Sequence, residues 1–374
     1  MGMIGGGPGS FIGPVHKMAA ELDGRMRLVA GAFSRDLNRA REAGAAWGLD
    51  PDRVHPDYGS LIAAEALRAD GVQLLVIATP NHLHFPIAKA ALEAGLHVMC
   101  DKPATLTLAE ALLLRDIVAG CGRQFGLTYT YAGYAMVREA REIVRRGDLG
   151  AVRKVVVDYS QGWLAQPLER GDHKQAGWRA DPATGGEGGA IADIGVHALH
   201  IAELVSGLKV DRLCPDLSSV VEGRLLDDDC NMLWRFDNGA PGVMVASQIA
   251  AGDRNGLRLR VYGERGGLDW SHDRPDILTL NWIDQPTQVL HAAAPYLSAA
   301  GRAPARLPTG HPEGFIEAFA TLYRDFADAI EGATPRPGAG VPGIEDGVRG
   351  MALIRCAVRA SRAQAGWVRL DEAL

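Results

Sequence analysis

The chain has 374 residues, 47% of them hydrophobic and 22% charged, enough for a full core and more typical of two packed domains than of one. Its formal net charge of −6 is spread over interspersed acids and bases with no block of one sign. That pattern argues against a nucleic-acid or anionic-membrane surface and favours a small-molecule partner.

In chain order, short apolar runs alternate with helical patterns from the start to about Tyr131. The runs are Met3–Ile4, Leu28–Phe33, Leu74–Thr79, His97–Cys100 and Gln124–Thr128, with helical segments such as Ile87–Ala94 and Leu108–Ala119 between them. Strands this apolar are buried on both faces, and the alternation predicts a doubly wound α/β domain with a parallel sheet over 1–130. From about Val152 the pattern changes. Val152–Tyr159, Asn231–Phe236, Gly242–Ile249 and Leu257–Gly263 read as longer strands broken by hairpin signals such as Asp237-Asn238-Gly239, which predicts an α+β domain over 131–374 with a mostly antiparallel, open sheet. Strict apolar/polar alternation from Leu257 to Tyr262 gives that sheet a core face and an outer face, the latter a candidate interface. Phe315, Phe319, Leu322 and Phe326, then Ile344, Val348, Met351 and Val358, fall at helical spacing and predict two closing helices with these stripes in the core. The segments Ala292–Pro308 and Gly332–Gly343 read as surface loops, the first a candidate mobile arm over the site. No internal repeat is present.

Five cysteines, Cys100, Cys121, Cys214, Cys230 and Cys356, form no C-x-x-C pair and no even framework. They suggest neither a zinc site nor a disulfide scaffold, and they fit a reducing, cytoplasmic setting. The opening MGMIGGG lacks the features of a signal peptide, and no apolar run reaches the roughly 20 residues needed to span a bilayer. A soluble protein is expected.

The stretch Gly5-Gly6-Gly7-Pro8-Gly9-Ser10-Phe11-Ile12-Gly13 follows an apolar start and precedes a helical run beginning near Pro14. A dinucleotide fold needs glycine there: without Cβ atoms the backbone turns tightly and approaches a pyrophosphate, whose charge is met by the free amides of the helix N-terminus. Gly5, Gly7, Gly9, Ser10, Phe11 and Ile12 are the candidate cradle. Gly7 and Gly13 are six apart, so the loop is expanded relative to G-x-G-x-x-G. After the second run, Ser34 stands where an NAD-type fold commonly carries an acid, and Arg35 could meet a 2′-phosphate while Asp36 could still reach a ribose. The cofactor is read as NAD or NADP, inclining to NADP, with dual use open.

Three further motifs occur in a fixed order: Thr79-Pro80-Asn81-His82-Leu83-His84, then Cys100-Asp101-Lys102-Pro103, then Gly188-Gly189-Ala190-Ile191-Ala192-Asp193-Ile194-Gly195-Val196-His197. In these the chain resembles the glucose-fructose oxidoreductase/inositol dehydrogenase (Gfo/Idh/MocA) family over nearly its whole length. The resemblance implies a nicotinamide-dependent enzyme with an N-terminal Rossmann domain and a C-terminal open sheet, through which homodimers or homotetramers often assemble. It also implies that Thr79, Pro80, Asn81, His84 and Asp101 line the cofactor. Lys102 matches the Lys of the family's E-K-P motif, beside the nicotinamide and the reacting hydroxyl. Asp101 departs from the usual Glu, shortening the reach, and Lys102–Pro103 is expected to be cis, a state X–Pro bonds tolerate.

Asp193 and His197 are four residues apart, which on a helix puts both on one face. Oxidising an alcohol requires removal of the hydroxyl proton as hydride leaves, and a histidine titrating near neutrality suits that task. Hence His197 is read as the base, Lys102 as the group stabilising charge on the oxygen, and Asp193 as orienting His197 or binding a neighbouring hydroxyl. His200, where family members often carry Asp, is a candidate substrate contact. Gln161-Gly162-Trp163, Lys174, Gln175, Trp178 and Arg179 mix aromatic faces with amide and cationic groups, as recognition of a polyol would need; Trp163 and Trp178 as core anchors is the competing reading. Tyr131 and Tyr134, just after the last strand of the first domain, could line the cleft between the domains, a reading from position alone, and Tyr131 is a candidate substrate contact.

No metal is required. His82 and His84 read better as a loop against the nicotinamide side of the cofactor than as a metal pair, and Asp227-Asp228-Asp229 reads better as an acidic turn than as a cation site. The expected function is hydride transfer to or from a ring secondary hydroxyl of a sugar, glycoside or cyclitol. A catalytically silent nucleotide- or sugar-sensing protein of the same fold, and a metal-dependent lyase or hydrolase using Asp193, His197 and His200, are the alternatives.

Overall fold

A computed structural model describes residues 1–7 and 9–373. The chain divides into two compact units: Met1–Tyr129 joined by Phe319–Pro335 and Gly340–Val348, and Thr130–Ala318 joined by Arg336–Ala339 and Arg349–Leu374.

The first unit runs β1 (Gly2–Gly5), α1 (Ile12–Glu21), β2 (Ala30–Ala32), α2 (Leu37–Ala46), α3 (Tyr58–Ala66), β3 (Leu74–Ala78), α4 (His84–Glu93), β4 (His97–Cys100), α5 (Leu108–Cys121) and β5 (Phe125–Leu127). All its strand pairs are parallel, in the order β2-β1-β3-β4-β5. A single parallel bridge from Gly31 to Val54 adds a vestigial strand outside β2, so the order reverses at β1 as in a dinucleotide fold, leaving a crevice at the strand C-termini of β1 and β3. Leu74, Leu75, Val76 and Ile77 are at most 3% exposed, because helices cover both faces of a parallel sheet. Thr107 and Glu110 form a capping box that starts α5, fixing where the chain leaves the loop after β4.

The second unit begins with α6 (Ala135–Arg145) and β6 (Val152–Ser160), then α7 (Lys174–Ala180) and α8 (Pro182–Gly185). A π-helical turn over Ile191–Gly195 leads into α9 (Val196–Ser206). There follow β7 (Val210–Ser218), β8 (Asp229–Phe236), β9 (Pro241–Ser247), β10 (Gly256–Gly263), β11 (Gly266–Ser271), β12 (Ile277–Trp282), β13 (Gln288–His291) and α10 (Ala299–Arg302). Helices α11 (Phe315–Glu331) and α12 (Ile344–Ala363) and a short β14 (Val368–Arg369) close the chain. The nine-stranded sheet has the order β13-β12-β11-β10-β6-β9-β8-β7-β14, antiparallel except for the β6/β9 pair. Leu257, Leu259 and Val261 are wholly buried while Arg258 and Tyr262 are exposed, as the alternation along this strand predicts.

The segment over 292–308 is not a free arm. Ser298 N donates to Glu139 Oε2 at 3.1 Å, Ser298 Oγ donates to the same oxygen at 2.5 Å, and Ala294, Leu297 and Ala300 are buried. Small residues let this loop pack down, where composition alone suggested mobility.

Candidate active site

In the first unit the glycine loop follows β1. Gly5, Gly6 and Gly9 have φ of 77°, 68° and 78°, the left-handed region in which a Cβ is disfavoured. Gly13 is required for another reason: a Cβ there would lie 1.9 Å from the Gly6 carbonyl oxygen, so the loop and the first turn of α1 touch backbone to backbone. Helix α1 starts at Ile12, two residues before the expected Pro14, and has no acidic residue in its first turn. Ser10 Oγ accepts weakly from Gly13 N at 3.4 Å, and Phe11 is 70% exposed. Pro8 lies outside the described residues. Beside the loop, Thr79 Oγ1 is buried without a hydrogen-bond partner, and the Gly6 amide donates to the Ala78 carbonyl at 3.0 Å. Positive helix end, Cβ-free cradle and orphaned hydroxyl together fit a dinucleotide pyrophosphate.

After β2, Ser34 is half-buried and Arg35 exposed. Asp36 is the N-cap of α2, its Oδ1 accepting from Asn38 N at 2.9 Å and Arg39 N at 3.3 Å. This cap engages the carboxylate that the sequence left open for a ribose.

Two motif loops meet through His84. Its Nδ1 lies 2.8 Å from the Pro103 carbonyl and its Nε2 2.9 Å from the Thr79 carbonyl, tying the end of β3 to the loop after β4. Burial pushes this imidazole below its ordinary pKa, while the two carbonyl contacts pull the other way. Asn81 is 5% exposed and Pro80 opens its turn. Lys102–Pro103 is cis. Asp101 is anchored by groups the sequence did not flag: Oδ1 accepts from Thr128 Oγ1 at 2.7 Å and lies 3.1 Å from His16 Nε2. His16 is wholly buried on α1, and no local pattern distinguishes it from a core residue of that helix.

In the second unit Asp193 and His197 lie four residues apart on one unbroken helical stretch. The backbone over Ile191–Gly195 winds as a π-turn, with i→i+5 bonding, before continuing as α9. Glycine makes this possible: Cβ atoms on Gly188, Gly189 and Gly195 would lie 2.5 Å from Ile191 Cγ2, 2.0 Å from the Asp227 carbonyl oxygen and 2.7 Å from Ile191 Cδ1. Asp193 Oδ2 accepts from Gln248 Nε2 at 2.8 Å, and its Oδ1 is 3.3 Å from Arg179 Nε. Arg179 in turn lies 4.2 Å over the Trp178 ring and donates to Gln175 Oε1 at 2.6 Å. Of the predicted substrate residues, Arg179 therefore joins Asp193 to the Trp178 ring, and its guanidinium also lies 6.0 Å from the Trp163 ring. Both tryptophans are half-buried rather than core, and Lys174 is exposed at the start of α7.

His197 is 8% exposed, with the Tyr131 ring edge-on at 5.1 Å and the Tyr159 ring at 6.2 Å. The Tyr131 and Tyr159 hydroxyls hydrogen-bond each other. Tyr159 donates to Asn255 Oδ1 at 2.7 Å, and Tyr134 Oη lies 3.0 Å from His272 Nε2. Burial pushes the Tyr131, Tyr134 and Tyr159 phenols above their ordinary range, so they act here as neutral hydrogen-bonding groups. His200 is 9% exposed, one turn further along α9. Tyr159, Asn255, Gln248 and His272 come from four separate stretches of chain, so nothing in the sequence pattern marks them.

Among the described residues no three His, Cys, Asp or Glu side chains are grouped to hold a metal ion. A groove of about 440 Å³ lined by Asp158, Arg258, Asp269 and Thr279 lies on the outer face of the large sheet and holds no predicted site residue.

A parallel sheet with a glycine cradle at its switch point, followed by a second unit built on a large open sheet, defines a dinucleotide-binding oxidoreductase. Residues 1–129 match the oxidoreductase family with an NAD-binding Rossmann fold, and residues 137–269 match the GFO/IDH/MocA C-terminal domain. The chain is 35% identical to the uncharacterised oxidoreductase YfiI of Bacillus subtilis over 98% of its own length and 95% of the relative's. It is 28% identical to the levoglucosan dehydrogenase of Pseudarthrobacter phenanthrenivorans, covering 98% of this chain and 97% of that one. The crystal structure of an inositol dehydrogenase homolog from Azotobacter vinelandii complexed with NAD+ superposes with a TM-score of 0.94 at 38% identity, over 98% of this chain and 96% of that chain. The chain belongs to the Gfo/Idh/MocA oxidoreductase family.

Proposed function

We propose that the protein oxidises, reversibly, a ring secondary hydroxyl of a neutral sugar, glycoside or cyclitol with NAD or NADP. Asp193 carries this reading: its carboxylate, neutralised by Arg179 and steadied by Gln248, offers an acceptor for hydroxyls on a site whose charge is balanced, beside two half-buried indole faces suited to sugar C–H surfaces. Relatives point the same way, since the Azotobacter homolog has been crystallised with NADH and myo-inositol.

In this reading the first unit carries the dinucleotide and the second the polyol. A bound nicotinamide supplies the two-electron hydride acceptor or donor. As alcohol becomes ketone, the His197 imidazole takes the hydroxyl proton, and it returns the proton in the reverse direction. The Lys102 ammonium stabilises negative charge on the reacting oxygen. Asp193 holds a neighbouring hydroxyl, while Trp163, Trp178, Lys174, Arg179, Tyr131 and His200 shape the polyol side. Thr79, Pro80, Asn81, His84 and Asp101 support the nicotinamide end, and Ser34 and Arg35 read the ribose end, where Arg35 would favour NADP. The exposed Leu233, Tyr262 and Val289 on the large sheet suit association with a second copy, and five free thiols suit the cytoplasm.

The test is turnover on a polyol panel containing myo-inositol and levoglucosan, followed at the reduced-nicotinamide absorbance band. Wild type should turn over at least one member, and Lys102→Ala and His197→Ala should each lose activity by 100-fold or more while keeping dinucleotide affinity, a loss typical of general acid–base groups. Near-normal turnover by either variant would remove that residue from the mechanism.

A further inference from the structure

The Asp227-Asp228-Asp229 triplet has no part in the chemistry above, yet its backbone and side chains touch both segments that hold Asp193. Three consecutive amides converge on one residue. Gly189 N donates to Asp227 Oδ1 at 2.7 Å, Ala190 N to the Asp227 carbonyl at 2.8 Å, and Ile191 N to Asp227 Oδ2 at 2.8 Å. Gly189 can approach only because it lacks a Cβ. These amides lead directly into the π-turn, and the Asp193 amide closes back on the Gly189 carbonyl at 2.9 Å. From the next residue, the Asp228 carbonyl accepts from Gln248 N at 2.9 Å, placing the side chain that donates to Asp193 Oδ2. Asp228 is itself fixed, its carboxylate accepting from Val220 N, Val221 N and Arg224 Nη1 at 2.8, 2.9 and 3.0 Å.

We propose that Asp227 is a positioning residue for the reaction: its carboxylate clamps Gly189 and Ile191, and with them the π-turn that aims Asp193, without touching substrate. The proposal rests on the role given to Asp193 above. A carboxylate is needed because both oxygens must accept; an amide or a protonated carboxyl has only one full acceptor and turns a donor toward the second N–H.

The titration of this group gives a readout that separates positioning from plain stabilisation. Burial raises the Asp227 carboxyl to about 6, against the pull of the Gly189 and Ile191 amides and with a further push from the Asp228 charge. The nearby Cys230 thiol is held above its ordinary range by its own burial and by Asp227, Asp229 and Asp216, so it stays neutral through this window. A carboxyl raised in the folded state contributes stability below its unfolded value near 4 that is lost as pH rises through about 6. Acidification across pH 6 therefore favours the fold at this residue while it loosens the clamp. A residue that merely stabilised the fold would move protection at these two amides and stability together; here they move in opposite directions.

The experiment compares wild type with Asp227→Asn, reading backbone amide exchange at Gly189 and Ile191, corrected for intrinsic rates, and kcat and KM at pH 8 on whichever panel polyol wild type turns over. In wild type, protection at both amides should fall about tenfold from pH 8 to pH 5. At pH 8 Asp227→Asn should already have lost that protection, with kcat at least tenfold down and KM little changed. Gly189 and Ile191 amides that exchange unprotected in wild type at pH 8 overturn the proposal even if the variant does not fold. So does a variant with wild-type kcat at pH 8. If wild type turns over no polyol, or if Asp193→Asn is fully active, the functional reading fails instead, and the exchange data still decide whether the clamp exists.

Discussion

His16 Nε2 lies 3.1 Å from Asp101 Oδ1 while its Nδ1 lies 2.5 Å from Tyr323 Oη. One buried imidazole thus links α1, whose N-terminus faces the glycine loop, to the residue preceding Lys102, and to α11. Removing one partner of a buried, hydrogen-bonded charge is costly because the other stays behind unpaired. His16→Ala should destabilise the protein by about 2–4 kcal/mol in urea titrations, cavity included.

The same pair sets an acid limit. Burial opposes ionisation of Asp101, but His16 and Thr128 more than offset it and hold the carboxyl below its ordinary value. A depressed carboxyl contributes stability above the unfolded value near 4, lost as pH falls through the lower folded value. His16→Ala should move the acid-unfolding midpoint, followed by circular dichroism, to higher pH. An unchanged midpoint would mean that His16 does not hold the charge.

Gly13→Ala tests the cradle. The new Cβ would meet the Gly6 carbonyl and push the loop from the first turn of α1, so affinity for NADH, read by fluorescence, should fall at least tenfold, about 1.4 kcal/mol. Urea stability should change far less than for His16→Ala, since the strain falls at the loop.

Arg35→Ala tests nucleotide choice. If the exposed guanidinium meets a 2′-phosphate, the variant loses about fivefold to tenfold in NADPH affinity and keeps its NADH affinity, as a single charge-assisted contact would give. Equal effects on both dinucleotides would remove Arg35 from discrimination.

Arg179→Met tests the polyol side. It removes the cation beside Asp193 and the group over the Trp178 ring at a half-buried position. KM for the polyol should rise about tenfold with kcat changed less, because the lost contact serves binding more than the reacting oxygen.

Much of this was legible from one sequence because the signals are local. The buried strands of the first sheet are unbroken apolar runs, the alternation from Leu257 to Tyr262 declares its own two faces, and the glycine loop, the D-K-P motif and the Asp193 to His197 stretch are each contiguous. Periodicity reports which side of an element is buried, and a glycine reports a backbone that must turn or touch. Less visible were β7 and the hairpin strands β11 to β13, whose patterns are interrupted by polar and small residues and are stabilised by their neighbours in the sheet.

What the sequence determined by itself was the family, the glycine cradle, and the identity of Lys102, Asp193 and His197 as the residues to watch. Tertiary structure alone decided what holds them. It spent Asp36 on the N-cap of α2, wound the start of the expected helix as a π-turn, paired Asp193 with Arg179 and Gln248, and put His16 behind Asp101. It also used Asp227 to hold three amides nearly forty residues upstream. The reason is physical: a side chain's chemistry is written in its own position, but its hydrogen-bond partners come from whatever segment packing brings within about 3 Å, and that distance has no signature along the chain.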